Sequence, residues 1–315
     1  MNMEGCLEST MELDSLVSKL ILQIEQEQAL SQTAESFLQT KFLTQRQIIE
    51  NNDLISNIPN SLKLGMSLEK QFITFTFAKI VEQTLERSAV DPFIIEIGSG
   101  KGYLSRVLSN YYKKKTFCVD LNKERLKSNL RINRLVQDSN IEVSTRLNKK
   151  ALISTNMAVF HKSLETDADF KLILKSSRNF FKIRESINKT LFQVSIVGLH
   201  LCGDLPYTVL DQVAKNHIES KRNVFNAHEE SVDVCNVILV PCCPDKVTQF
   251  PKSTKVRLFM EDELSGKRIA ANLFEGCITT PINLIDIYLY ALETGFHHVE
   301  IVYVNSGRFA LIASI

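Results

Sequence analysis

Phe93-Ile94-Ile95-Glu96-Ile97-Gly98-Ser99-Gly100-Lys101-Gly102-Tyr103-Leu104-Ser105-Arg106-Val107-Leu108 is the stretch whose reading decides the fold. A short apolar run leads into three glycines at alternate positions, and a helix-forming run follows. The pattern predicts a strand, a tight turn and a helix. Glycine carries no Cβ, so such a turn can bring bare backbone close to a ligand. The helix N-terminus behind it favours groups that accept hydrogen bonds or carry negative charge. The spacing is E-x-G-x-G-x-G, whereas dinucleotide sites of the NAD type require G-x-G-x-x-G.

The rest of the chain sets the frame for this turn. With 315 residues, 44% hydrophobic and 23% charged, there is room for one large α/β domain and an appendage. A net charge of +1 announces no global field for nucleic acid or membrane, although a local basic patch is compatible with it. Seven scattered cysteines, an odd number, argue against a disulfide framework and for a reducing compartment. The first residues, Met1 to Asp14, are acidic and lack the apolar core of a signal peptide. No apolar run approaches the roughly 20 residues of a membrane helix. A cytoplasmic or nuclear protein is expected, with no membrane contact and no obligate protein partner.

Outward from the turn, elements alternate. Residues 1–62 read as an N-terminal helical cap, with apolar positions at helical spacing from Leu16 to Ile55. The main domain is expected over 63–315. It begins with a helix capped near Ser67 and ending near Leu85. Thr116 to Asp120 is the second strand, and Asp120 stands about 18 residues past Gly102. An acid at that strand end can accept hydrogen bonds from both ribose hydroxyls of a nucleoside. A helix over Leu126 to Leu135 and a third strand over Ile141 to Ser144 come next. A basic, helical insertion is expected at about 147–192, with Phe160, Phe170, Phe180 and Phe181 among lysines. Those rings either pack an amphipathic helix or stack nucleic-acid bases. Ser195 to His200 and Asn236 to Val240 are strands four and five. A helix from Thr280-Pro281 is stopped by Gly295. Two strands, Val299 to Val304 and Phe309 to Ile315, close a hairpin around Asn305-Ser306-Gly307. The last is apolar without alternation, as a strand covered on both faces would be.

The glycine pattern, the acid after it and the closing antiparallel hairpin together resemble the S-adenosyl-L-methionine (SAM) methyltransferases. That resemblance implies a Rossmann-like class I methyltransferase fold, α/β, with a mostly parallel seven-stranded sheet. It implies Glu96, Gly98, Ser99, Gly100, Gly102, Asp120 and Leu121 as cofactor contacts. Ligands of open α/β sheets bind outside the carboxyl ends of the strands, where His200-Leu201-Cys202-Gly203-Asp204 and Pro241-Cys242-Cys243 also fall. In-line methyl transfer needs the acceptor held opposite the sulfonium, with a group to orient or take its proton. His200 and Asp204 are the candidates. Asp204-Leu205-Pro206-Tyr207 also fits the D-x-P-Y form of enzymes that methylate nitrogen. Cys202 and Cys242 fit the two-cysteine arrangement that methylates C5 of RNA pyrimidines. A metal set of His200, Cys202, Cys242 and Cys243 lacks the usual C-x-x-C spacing, so no metal is expected.

Val197-Gly198-Leu199-His200-Leu201-Cys202-Gly203-Asp204-Leu205, with Val240-Pro241-Cys242-Cys243 about 40 residues on, is similar to one narrower family. Its members include methyltransferase-like protein 25, the Trm-thirteen-type tRNA ribose methyltransferases and the C-terminal domain of a glutathione-transferase-like protein. Gly65-Met66-Ser67-Leu68-Glu69-Lys70 resembles the methyltransferase-like protein 25 branch most closely. The tRNA enzymes carry cysteine- and histidine-rich modules, whereas only Cys6 precedes the domain here. The resemblance implies methyl transfer to a macromolecule, RNA before protein. The alternative is a non-catalytic SAM-binding or interaction module.

Overall fold

The computed structural model describes residues 19, 55–88, 91–141, 157–185, 192–223, 232–243, 246–248, 250–264, 279–305 and 308–315. The expected helical cap lies outside them apart from residue 19 and residues 55–62, which include a short 3-10 turn at Asn60–Lys63.

Among the described residues, seven strands form one sheet. They are β1 (Phe93–Ile97), β2 (Thr116–Asp120), β3 (Met157–His161), β4 (Phe192–Cys202), β5 (Val232–Cys242), β6 (His298–Asn305) and β7 (Arg308–Ser314). Their spatial order is β3-β2-β1-β4-β5-β7-β6. The first five pair in parallel. β7 runs antiparallel between β5 and β6, as the closing hairpin predicts; residues 306 and 307 of its turn lie outside the described residues.

Helices cover both faces: α1 (Leu68–Glu86), α2 (Tyr103–Asn110), α3 (Lys123–Ile141), α4 (Asp167–Glu185), α5 (Leu205–Asn223), α6 (Thr254–Leu264) and α7 (Thr279–Glu293). Successive strand residues face opposite ways, so the sheet feeds two apolar layers. Ile95, Ile97, Phe117, Ile196, Leu239 and Leu311 belong to the layer with α4, α5 and α7. Ile94, Val197, Ile238, Val240, Ala310 and Ile312 belong to the layer with α1 and α2. Ser67 caps α1 by accepting the Lys70 N–H at 3.3 Å. Gly295, at φ +104°, ends α7. The Phe296 N–H reaches the Ala291 carbonyl and the Gly295 N–H reaches that of Leu292, the paired bonds of a Schellman cap.

The middle of the chain differs from expectation. Ile141 ends α3, and the rest of the expected third strand lies outside the described residues. The third strand of the sheet is Met157–His161, inside the segment expected as a basic insertion, and α4 follows it. The stretch is thus an ordinary strand and helix of the sheet. Its phenylalanines do not form a base-stacking platform. Phe170 and Phe181 are buried, and Phe160 and Phe180 pack against the same core. Phe181 lies 4.4 Å from Phe93, centroid to centroid, in a stacked pair. The lysines of this stretch include Lys162, paired with Asp169 at 2.6 Å, and Lys171, paired with Glu219 at 2.7 Å.

Strand order reverses direction between β1 and β4. That switch point opens a crevice at the carboxyl ends of these strands, with the glycine turn on one side and the end of β4 on the other.

Candidate functional site

The glycine turn is tied to β2 at both ends. The Ser99 N–H donates to the Val119 carbonyl at 3.0 Å, and the Gly100 N–H donates to Asp120 Oδ2 at 2.7 Å. Asp120 Oδ1 accepts the Asn122 N–H at 2.7 Å. Each carboxylate oxygen can accept more than one hydrogen bond, so Asp120 keeps acceptor capacity. Two of the glycines serve different ends. Gly102 sits at φ +66°, and a Cβ there would fall 2.1 Å from the Asn129 side chain, so a larger residue would be strained and would displace Asn129. Gly100, at φ +54°, has nothing nearer its Cβ position than the Gly98 carbonyl at 4.0 Å. The space in front of it is open. Ser99 Oγ is buried with no hydrogen-bond partner, an orphaned polar atom within this cradle. Leu121, at 65% exposure, offers apolar surface beside Asp120. The residues present therefore fit a nucleoside-bearing group: backbone, an acid and an exposed apolar side chain.

Glu96 plays another part. It is only 3% exposed and turns toward α2, where it accepts from the backbone N–H of Ser105 at 3.1 Å and from the Ser105 hydroxyl. Gly102 caps α2 without a side chain, so an early N–H of the helix would lack a partner; Glu96 supplies it. Burial raises the Glu96 carboxyl to about 8 despite that hydrogen bond. Arg106 is fully buried on the same helix. It donates to the Leu64 carbonyl at 3.2 Å and stacks over Tyr103 at 5.1 Å. The Tyr103 hydroxyl donates to the Gly65 carbonyl at 2.6 Å. These contacts bind the Gly65-Met66-Ser67 segment to the back of the glycine turn.

At the far side of the crevice, β4 bulges. Leu199 pairs with Val240 and Leu201 with Pro241, leaving His200 as the extra residue, at φ +63°. His200 Nδ1 stands 2.8 Å from Arg308 Nη1. A guanidinium can only donate, so Nδ1 accepts and the neutral ring carries its proton on Nε2. Burial, then the nearby Arg308 and Lys70 charges, lower the His200 pKa to about 4. Of the two roles expected for His200, orienting the acceptor or taking its proton, the lowered pKa and the Nε2–H favour the first.

Asp204 is also engaged. Its carboxylate accepts the Thr248 N–H at 3.0 Å and pairs with Lys252 Nζ at 3.1 Å. Partial burial works against its charge, yet the Thr248 and Lys252 contacts hold it below the usual carboxylate range. It ties the loop after β5 to the start of α5. Tyr207 corrects the D-x-P-Y reading. It is 3% exposed, and its hydroxyl donates to Asp286 at 2.7 Å and lies 3.1 Å from Asn283 Oδ1, both on α7. A ring buried against another helix cannot stack on an acceptor.

Cys202 and Cys242 do come together, with Sγ atoms 2.9 Å apart, and Cys243 joins them 3.4 Å from Cys202. Burial, first, and the neighbouring thiols push Cys242 up, and burial raises Cys202. Raised thiols disfavour the thiolate that covalent addition to a pyrimidine needs. Arg308, Arg106 and Asn129 were not among the expected site residues. An arginine within the apolar run of α2 was the one signal that pointed to any of them.

A family model described as "Methyltransferase domain" matches residues 71–249. No curated protein matches the sequence. Among solved structures the chain is similar to EvdMO1, at 12% identity and a TM-score of 0.38, covering 86% of this chain and 48% of that one. The chain thus spans about half the length of that protein. It is also similar to magnesium protoporphyrin IX methyltransferase (ChlM) from Synechocystis PCC 6803 with bound S-adenosylhomocysteine (SAH), at 12% identity and a TM-score of 0.37, covering 89% of this chain and 99% of that one. A third is M. capricolum TrmK in complex with SAH, at 14% identity and a TM-score of 0.30, covering 75% and 66%. None is close enough to carry a substrate across.

Proposed function

The chain belongs to the methyltransferase-domain family, and from that premise we propose which residues hold the methyl donor and what class of acceptor receives the methyl. The fold is the Rossmann-like class I methyltransferase fold, the activity is SAM-dependent methyl transfer, and SAM is the expected cofactor. Gly98, Ser99, Gly100, Gly102, Asp120 and Leu121 hold it. The observation that carries this assignment is the Gly100–Asp120 hydrogen bond, which sets the turn and the acid side by side in front of open space. The spare acceptor capacity of Asp120 suits ribose hydroxyls, and Leu121 suits an adenine face. Glu96, expected among the donor contacts, acts in this reading by positioning the turn through Ser105.

When bound, SAM supplies an electrophilic methyl on a sulfonium. The chain's own residues then place the acceptor. His200 Nε2–H, across the switch point, donates a hydrogen bond that orients it. Asp204 acts by fixing the loop after β5. Neither serves as a strong base, which suits an acceptor that is nucleophilic without prior loss of a proton.

We assign the chain to the methyltransferase-like protein 25 branch, because Gly65 to Lys70 and the His200-to-Cys243 elements carry that resemblance. A macromolecular acceptor, RNA before protein, follows from the same kinship. The buried phenylalanines of α4 and its surroundings lend RNA no further support.

Calorimetry of the full chain with SAM tests the donor site. We expect micromolar binding, no binding of NAD, and loss of SAM binding in Gly100→Arg, whose side chain would fill the open space. Unchanged binding in Gly100→Arg would remove the site. Incubation with labelled SAM and separated RNA and protein fractions then tests the acceptor. Label in protein alone would overturn the RNA preference, and label in neither would favour a binding module.

A further inference from the structure

Cys202 closes β4 and Cys242 closes β5, and the two are register partners. Neighbouring residues of an extended strand face opposite ways, so Cys243 would ordinarily point away from Cys242. It does not: Cys243 adopts φ +53°, and its Sγ comes to 3.4 Å from Cys202. All three Sγ atoms lie within 4.8 Å of one another. A left-handed residue other than glycine is uncommon and costs energy. Here His200 and Cys243 both adopt it at one corner, with Gly203 at φ +60° between the strand ends. At Gly203 a Cβ would lie 2.7 Å from the Lys246 carbonyl. The Lys246 N–H in turn donates to the Cys243 carbonyl at 3.0 Å, and Asp204 holds Thr248. The loop after β5 is thus folded back against the β4 end in a way that gathers the thiols.

We propose that Cys202, Cys242 and Cys243 form a three-thiolate site for one zinc-class divalent cation beside the methyl-transfer crevice. Thiolates bound at about 2.3 Å to one tetrahedral ion stand roughly 3.8 Å apart, so Cys242 and Cys243, at 2.9 and 3.4 Å from Cys202, need only spread outward to take an ion between them. Binding releases three thiol protons and forms three metal–sulfur bonds, with no change in oxidation state. Three protein ligands leave a fourth position for water or an acceptor lone pair, the pattern of an open site rather than a closed structural one. Cys202 is exposed, so the site is reachable from solvent. His200 is not a ligand, because Arg308 occupies its Nδ1. A Cys202–Cys242 disulfide would leave Cys243 and its strained backbone without purpose; the third thiol favours the cation. The site stands independently of the acceptor proposed above.

The full chain is purified under reducing conditions, stripped with chelator, and titrated with Zn2+ against a chromophoric competitor. One equivalent is expected, with sulfur-to-metal charge-transfer absorption when Co2+ is substituted. Cys202→Ser, Cys242→Ser and Cys243→Ser should each weaken binding at least a hundredfold, and Cys235→Ser should not. SAM calorimetry on each variant reports folding, and keeps failure of this site separate from failure of the donor site. A measurement free of variants accompanies it: Zn2+ should slow alkylation of these three cysteines at least tenfold, mapped by mass spectrometry. Absence of a stoichiometric equivalent, binding that survives Cys243→Ser, or no protection of the three thiols would each overturn the proposal.

Discussion

Arg308 Nη1 lies 2.8 Å from His200 Nδ1, joining two residues 108 positions apart. Arg308 also faces Glu69 of α1, Nη2 to Oε1, at 3.7 Å. The first strand-end of the acceptor side, the closing hairpin and the Gly65-to-Lys70 segment therefore meet at one guanidinium. Because that guanidinium only donates, it selects the His200 tautomer with the proton on Nε2. Nitrogen-15 NMR of the imidazole should show this tautomer in the wild type and a mixture in Arg308→Met. A mixture already present in the wild type would remove the ordering role. Loss of this partly buried, charge-assisted bond should also cost about 1–2 kcal/mol of stability.

Gly102→Ala should destabilise the fold by about 2–4 kcal/mol, combining left-handed strain with overpacking. The new Cβ would fall 2.1 Å from Asn129. Chemical denaturation of Gly102→Ala with Asn129→Ala should recover part of the loss. Equal losses in the single and double variants would show that Asn129 is not what confines the position.

Glu96 predicts a pH dependence. Burial raises its carboxyl from 4.5 to about 8, so the folded protein keeps a proton that the unfolded chain releases at lower pH. The stabilising contribution is fully present below pH 4.5 and is lost as pH rises through about 8. Denaturation midpoints should fall across that window, and the fall should shrink in Glu96→Gln. Parallel profiles for the two proteins would mean that Glu96 does not cause it.

Tyr207→Phe separates packing from acceptor binding. Its hydroxyl donates to buried Asp286, so its removal should cost about 1–3 kcal/mol. SAM affinity and the acceptor KM should stay unchanged. A KM raised tenfold at unaltered stability would restore the D-x-P-Y reading.

Strand, glycine turn and helix were legible at Phe93 to Leu108 because each depends on neighbours within a few positions. The same holds for Asp120 at its strand end, the Ser67 cap, the Gly295 stop and the apolar final strand. β3 was misplaced because lysines and phenylalanines along Lys149 to Lys189 have a helical period over α4, which masked the short strand at Met157–His161. Only the sheet could show that those rings face the core.

By itself, then, the sequence determined the glycine turn with its strand and helix, the acid at the end of β2 and the closing hairpin, all products of local backbone chemistry. The tertiary structure alone decided what the strand ends do. Register between β4 and β5 extrudes His200 in a bulge and brings Cys202 level with Cys242, and sheet closure carries Arg308 to His200. Such meetings depend on strand pairing between residues far apart in the chain, and no local pattern encodes them.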